Sequence, residues 1–167
     1  MRSITYIDAI AEYYPNTIVK AFGINPSYND LVLLSGDPIP SQEILDLKIQ
    51  ELKQKIMWEE IKKRRDDRLS CGCYCAGKGW HSDSESRIKY LGLLMLGANM
   101  PTTIYWKTMD GTFIQMTPTL AGQIFNTLAS WDTATFTTAE QHKTAMLQVA
   151  DPFSYDFSGN WPLVFGE

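Results

Sequence analysis

The sequence predicts an α+β fold that is mainly helical, because two kinds of pattern alternate along it. Long stretches carry apolar residues at helical spacing between recognisable caps, whereas short runs rich in β-branched and aromatic residues flank turn-forming residues. The hydrophobic fraction of 44% is enough to build a core. The formal net charge of −4 argues against a nucleic-acid-binding protein, which normally carries a basic excess. No apolar run has the length of a membrane span, so neither nucleic acid nor a membrane is an expected partner.

The first 40 residues predict a small module of one helix and two strands. The helix is expected over residues 4–14, and the strands over residues 17–22 and 31–34, with turn residues between them. The segment Gly36-Asp37-Pro38-Ile39-Pro40 then favours an extended connector, because each proline fixes its own backbone and restricts the residue before it. A domain boundary is therefore predicted at residue 40. A module this small is expected to lean on another part of the molecule.

Residues 41–69 predict a long connecting helix with Ser41 as its N-cap. Four apolar residues along it are spaced alternately by four and three, which is the spacing of a short coiled-coil seam. The seam consists of Leu45, Ile49, Leu52 and Ile56. Two interpretations stay open, since such a seam either packs against the protein's own core or joins copies of the chain. The mixed charges of residues 59–68 predict a solvated helix face.

Residues 70–167 predict a C-terminal helical domain that carries two β-hairpins. The first hairpin is expected to end near Trp80, and Ser82 with Glu85 predicts a capping box at the start of the next helix. The run from Ile88 to Ala98 is apolar on so many faces that we expect this helix to be surrounded by protein. Asp110-Gly111 lies between two strand-like runs and predicts a second hairpin in which both turn residues have positive φ.

The last long helix is predicted to start at Thr117-Pro118, with threonine as the cap and proline at the first helical position. Its buried stripe is expected to be Leu120, Ile124, Leu128 and Trp131. The threonine-rich segment 132–138 weakens helix propensity and predicts a kink or break. The tail over residues 153–165 is not helical, and its frequent aromatic residues predict packing against the domain or a partner.

The three cysteines are the first candidates for chemistry. Cys71, Cys73 and Cys75 would share one face of a strand, and His81 could return beside them, which is the donor set of a structural zinc site. Alternate strand side chains spread by roughly 6–7 Å, so the outer pair could hardly reach one ion. Free thiols are therefore the favoured interpretation, and no catalytic, cofactor-binding or metal-binding residue is assigned. A lone histidine at position 142 is expected to be a core or interface residue.

Three motifs follow one another in the C-terminal half at characteristic spacing. They are Arg64-Arg65-Asp66-Asp67-Arg68-Leu69, then Gly77-Lys78-Gly79-Trp80-His81-Ser82-Asp83-Ser84-Glu85-Ser86-Arg87-Ile88, and Trp106-Lys107-Thr108-Met109-Asp110-Gly111 with Thr117 after it. This arrangement resembles the C-terminal domain of unknown function 4376 family, found in many tailed-phage tail-fibre assembly and tail-associated proteins. The resemblance covers roughly residues 58–150. The N-terminal part is similar to small proteins encoded in phage tail gene clusters.

The resemblance implies a non-enzymatic tail-fibre assembly protein, a chaperone that binds the fibre polypeptide and promotes its folding and trimerisation. It implies action in the host cytoplasm during phage assembly, recognition of the fibre by residues 1–40, and a homo-oligomer for which the fibre's symmetry favours a trimer. The residues expected at partner contacts are Phe22, Leu33, Ile49, Leu52, Ile56 and Trp161. Two alternatives remain: a structural baseplate or fibre-joint component retained in the virion tail, and a cysteine-based metal or thiol enzyme.

Overall fold

The computed structural model describes residues 3–21 and 26–167. Within these residues the chain forms four α-helices and three two-stranded antiparallel sheets, which confirms the α+β, mainly helical fold. The helices are α1 (Tyr6–Tyr13), α2 (Gln42–Ser70), α3 (Ser84–Leu96) and α4 (Pro118–Met146). The sheets are β1 (Val19–Ala21) with β2 (Leu31–Leu33), β3 (Cys73–Cys75) with β4 (Lys78–Trp80), and β5 (Tyr105–Lys107) with β6 (Phe113–Gln115). No helix in this part of the chain is long and apolar enough to span a bilayer.

The chain divides into two compact units. The N-terminal unit comprises residues 1–59 and 145–155, and the C-terminal unit comprises residues 60–144 and 156–167. This division differs from the boundary expected at residue 40. The physical reason is that the first half of α2 supplies Leu45 and Ile49 to the same core as the N-terminal strands, so that half of the helix belongs with them.

The core of the N-terminal unit lies between α1, one face of the β1–β2 hairpin and the start of α2. Ala9, Ile10 and Leu45 are fully buried there. Val19 pairs with Leu33 across the hairpin, and the alternation of side chains turns both toward this core. α1 begins with the Thr5–Asp8 capping box, in which the Asp8 carboxylate accepts from the Thr5 backbone N–H at 2.8 Å.

Residues 145–155 belong to the N-terminal unit through contacts with the middle of α2. The ammonium group of Lys53 lies 3.1 Å from the Asp151 carboxylate and 5.6 Å from the centre of the Phe153 ring. The side-chain amide of Gln50 donates to the Val149 carbonyl at 3.5 Å. Asp151 also accepts from the backbone N–H of Phe153, which caps the short 3₁₀ turn at Pro152–Ser154.

The core of the C-terminal unit is built around three aromatic rings. Trp80 and Tyr90 are fully buried and meet edge to face, with ring centroids 6.4 Å apart, and Trp106 lies 4.8 Å beyond Tyr90. The Trp80 indole N–H donates to the Cys75 carbonyl at 2.8 Å, so its burial leaves no donor unpaired. The expected α4 stripe joins this core through Leu120, Ile124, Leu128 and Trp131.

The predicted break in α4 is wrong, because the helix runs unbroken from Pro118 to Met146. The threonine hydroxyls donate to carbonyls one turn earlier instead of competing with the helix. Thr135 bonds to Trp131 at 2.8 Å, and Thr137 bonds to Thr133 at 2.8 Å. The predicted start is confirmed, since the Thr117 hydroxyl accepts from the backbone N–H of Leu120 at 3.1 Å.

The N-cap of α3 is Asp83 rather than Ser82. The Asp83 carboxylate accepts from the backbone N–H and the hydroxyl of Ser86, and these bonds hold the pKa of Asp83 below its usual range. The hydroxyl of Ser82 is buried and accepts from the backbone N–H of Gly72 at 2.8 Å. Ser82 therefore ties the hairpin to the helix start, and it does not cap the helix.

The β5–β6 hairpin forms as predicted, but its turn differs from the expected two-residue type. Five residues, Thr108 to Thr112, separate the strands, and only Gly111 among them has positive φ. The Asp110 carboxylate accepts from the hydroxyls of Thr108 and Thr112 and from Lys78. These hydrogen bonds hold the pKa of Asp110 well below its usual range, the bond from Thr108 having the largest effect.

The aromatic tail packs back on the C-terminal unit, as one of its two interpretations expected. The Phe165 ring lies 5.3 Å from the Tyr74 ring, and its backbone N–H donates to the Gly72 carbonyl. Arg68 is buried and makes two hydrogen bonds, of 2.9 and 2.6 Å, to the Glu167 carboxylate. The expectation of a solvated charged face is therefore wrong at Arg68, because the tail covers it.

Candidate protein-interaction surfaces

The six residues expected at partner contacts occupy different environments. Leu33 is 7% exposed in the N-terminal core, and Trp161 is 7% exposed beside His142, with ring centroids 5.1 Å apart. Both side chains therefore have packing roles here. Three seam residues are half-buried, and Phe22 lies outside the described residues. The half-buried residues are Ile49, Leu52 and Ile56.

The outer face of the β1–β2 hairpin exposes three large aliphatic side chains. Ile18 is 69% exposed, Val32 is 45% exposed and Leu34 is 59% exposed. The backbone N–H of Leu34 donates to the Ile18 carbonyl at 3.1 Å, so these two residues are neighbours across the hairpin. We call Ile18, Val32 and Leu34 the N-terminal apolar face. It lies on the side of the hairpin opposite to Leu33.

Sequence reasoning missed the N-terminal apolar face because hydrophobic residues occupy both sides of the hairpin, and one exposed charge, Lys20, lies on the outer side opposite Val32. Residues 17–22 and 31–34 contain hydrophobic residues at adjacent positions, so a period of two does not tell the inner side from the outer side. In the structure Val19 pairs with Leu33, and both residues pack on the core, which shows which side of the hairpin faces inward. Ile18 and Leu34 then necessarily point outward.

The expectation that α3 is surrounded by protein is wrong. Tyr90 is its one fully buried residue, whereas Ile88 is 70% exposed, Leu91 is 44% exposed and Met95 is 79% exposed. We call Ile88, Leu91 and Met95 the α3 apolar stripe. The hydrophobicity of this helix thus forms an open surface, and a surface of this kind usually marks a binding site.

A groove of about 230 Å³ runs beside the α3 apolar stripe, between α3 and α4. Its lining is mainly apolar and includes the ion pair between Arg87 and Asp132, whose two N–O distances are 2.6 and 2.8 Å. The residues that line it are Arg87, Ile88, Leu91, Phe125, Leu128, Ala129 and Asp132.

A third apolar surface lies on the outer side of the β5–β6 hairpin. Tyr105 is 61% exposed and Phe113 is 68% exposed, while Trp106 and Ile114 pack on the core from the opposite side. The register pairs Lys107 with Phe113. Lys107 lies within this surface, as the exposed Lys20, which pairs with Val32, lies within the N-terminal apolar face.

The cysteine segment is arranged differently from the expected strand. Cys71 precedes β3 and is exposed, Cys73 is buried, and Cys75 is half-buried. Burial raises the pKa of the Cys73 thiol to about 11, so little of the reactive thiolate is present at neutral pH. His81 is exposed beyond the end of β4. In the described residues, no cluster of three or more histidine, cysteine or acidic side chains is arranged to hold a metal ion.

Comparison with protein families identifies the C-terminal part of the chain. A family model described as Domain of unknown function (DUF4376) matches residues 51–158. The chain belongs to this family. The DUF4376 region includes α3, α4 and the second and third hairpins, and it excludes the N-terminal apolar face. No curated protein and no solved structure matches the chain.

Proposed function

We propose that this protein is a phage tail-fibre assembly chaperone, which binds the unassembled fibre polypeptide and promotes its folding and trimerisation without catalysing a reaction. The proposed place of action is the host cytoplasm during assembly. The observation that carries the proposal is the N-terminal apolar face, which exposes Ile18, Val32 and Leu34 outside the DUF4376 region. The resemblance of the motifs in residues 64–117 to tail-fibre assembly proteins supplies the partner.

The N-terminal apolar face suits a partner that is itself an incompletely assembled β-rich chain. Unassembled fibre chains expose apolar surface and strand edges, both of which lead to aggregation. β1 and β2 form a two-stranded sheet, so each strand has an outer edge as well as the apolar face. An extended fibre segment can add to such an edge while its apolar side chains cover Ile18 and Leu34.

Co-expression with the neighbouring fibre gene tests the proposal. The double variant Ile18→Glu/Leu34→Lys removes the apolar face while placing opposite charges across the hairpin, which preserves the strand pairing. We expect wild-type protein to increase the yield of soluble trimeric fibre, and the double variant to lose most of this increase. Leu163→Lys is a matched control, because Leu163 is also 69% exposed but lies in the C-terminal unit.

Two results contradict the proposal. A fibre that becomes soluble and trimeric equally well without this protein removes the chaperone function. Recovery of the protein in stoichiometric amount from purified phage particles favours the alternative, a structural component of the virion tail. Circular dichroism of the double variant checks that its helices are retained, so that a loss of fibre assembly reports on the surface.

A further inference from the structure

α3 carries an open stripe whose spacing is that of a helix–helix contact. Ile88, Leu91 and Met95 are separated by three and four residues, so they lie along one side of the helix. Their exposed fractions of 70%, 44% and 79% show that the rest of the described chain leaves much of each side chain uncovered. The helix has 13 residues and is about 20 Å long, and the stripe spans about 10 Å of it, ending one residue before the last.

Gly92 is the second feature of this side of the helix. A glycine inside a helix costs about 1 kcal/mol relative to alanine. A Cβ atom added at Gly92 would meet nothing within 4 Å, so no packing against the described residues requires the missing side chain. Gly92 is exposed next to Leu91 and leaves a gap in the surface of α3. Such a gap allows the backbone of another helix, or a large side chain from it, to approach closely.

The stripe is complementary to a copy of itself in the antiparallel direction. If two α3 helices cross about an axis midway between residues 91 and 92, Ile88 of one copy meets Met95 of the other. The same symmetry places Leu91 of each copy against Gly92 of its partner, so a large side chain faces the gap. A two-fold contact of this kind uses the same surface on both copies.

The charges around the stripe also permit a second copy. The charged residues of α3 are Glu85, Arg87 and Lys89, at the N-terminal end of the stripe. Lys89 is paired with Glu85, and Arg87 is paired with Asp132 of α4. In the antiparallel crossing, the positions of the other copy that lie opposite these three residues are 98, 96 and 94, all uncharged, so like charges do not meet.

We propose that the α3 apolar stripe is a two-fold contact between copies of this chain. The three residues expose on the order of 350 Å², below the roughly 800 Å² per partner of a standard interface. The adjoining uncharged surface of α4 adds to the contact, and the association is weak, with a dissociation constant in the micromolar range or above. This inference does not depend on the tail-fibre function.

Sedimentation velocity over a wide concentration range tests the proposal. The wild-type mass is expected to rise from the 19.0 kDa monomer toward the dimer. Ile88→Lys and Gly92→Met should each weaken association at least about tenfold, the first by burying a charge and the second by filling the gap. Gly92→Met also raises helix propensity, so its lost association cannot be attributed to unfolding. Leu47→Lys is the matched control on α2, because Leu47 is 66% exposed, and it should leave association unchanged.

Several outcomes overturn the proposal. These are a wild-type protein that stays monomeric throughout, a mass that converges on a trimer, and association that persists in both α3 variants. If the wild type is monomeric and binds fibre polypeptide, and Ile88→Lys abolishes that binding, the stripe is a binding site for the fibre instead. The co-expression experiment with Ile18→Glu/Leu34→Lys tests the N-terminal apolar face, which is a different surface. Failure of the chaperone proposal can therefore be told apart from failure of the two-fold α3 contact.

Discussion

The contact between Gly79 and Phe165 offers a quantitative test of how the tail is held. Gly79 lies in β4, and the Phe165 ring packs directly on it. A Cβ atom at Gly79 would overlap Cδ2 and Cε2 of that ring and would lie 3.0 Å from its Cγ. Because Cγ is so close, rotation of the ring about its Cβ–Cγ bond does not relieve the overlap, so the whole ring must be displaced. The backbone of Phe165 is held by its hydrogen bond of 3.3 Å to the Gly72 carbonyl, which opposes this displacement.

We therefore expect Gly79→Ala to lower the free energy of unfolding of the C-terminal unit by about 1–3 kcal/mol, the usual cost of overpacking. In the Phe165→Ala background the ring is gone and alanine is the better strand residue, so the same change should be neutral or stabilising by up to about 1 kcal/mol. The double-mutant cycle should thus give a coupling energy of about 1–4 kcal/mol.

Urea unfolding followed by tryptophan fluorescence measures this cycle, since Trp80, Trp106, Trp131 and Trp161 all lie in the C-terminal unit. Equal destabilisation by Gly79→Ala in both backgrounds would refute the reasoning. That outcome would mean that the ring does not rest on Gly79 in solution.

Three further measurements follow from the C-terminal unit. Folding lowers the pKa of Asp110, so the stabilising effect of its carboxylate is complete above the unfolded-state pKa of about 4. The free energies of unfolding of wild type and Asp110→Asn should therefore differ by a constant amount above about pH 5 and converge as the pH falls below about 4. Iodoacetamide followed by peptide mass spectrometry should modify the exposed Cys71 at pH 8, whereas the buried Cys73 should react only after denaturation. Glu167→Gln should cost about 1–2 kcal/mol in urea unfolding, because it leaves the buried charge of Arg68 without its carboxylate, and a cost near zero would contradict the ion pair's role.

Local signals in the sequence predicted most of the fold. The caps at Ser41 and Thr117 act over a few residues, and each is found where the sequence predicted it. Gly97 has a φ of 52° at the end of α3, a conformation that glycine adopts without strain. The start of α3 was misplaced by one residue because Ser82 and Asp83 are both good N-cap residues. The Ser82 hydroxyl accepts instead from the backbone N–H of Gly72, which lies ten residues earlier in the chain.

The exposure of α3 could not be predicted from its composition. Apolar residues at positions 88, 91 and 95 indicate that burial is favourable, but they do not indicate whether the covering surface lies in the same chain. Gly92 was the informative signal, because a glycine in a helix interior requires a reason. Residues 3–21 and 26–167 provide none, which directs attention to a contact with another molecule.

The type of the turn at Asp110-Gly111 could likewise not be predicted from the dipeptide alone. The dipeptide predicts positive φ at both positions, but the flanking threonines change the preferred arrangement. Their hydroxyls donate to the Asp110 carboxylate, and a five-residue loop allows these bonds where a two-residue turn does not. Thr108 and Thr112, spaced symmetrically about Asp110, were the signal available in the sequence.

The central claim is that the N-terminal apolar face binds the fibre polypeptide. Hydrogen–deuterium exchange of the full chain, with and without purified unassembled fibre polypeptide, tests it most directly. The account predicts slower exchange in β1 and β2 when the fibre is present, and no slowing in the Ile18→Glu/Leu34→Lys variant. Unchanged exchange in both strands while the fibre is bound would contradict it.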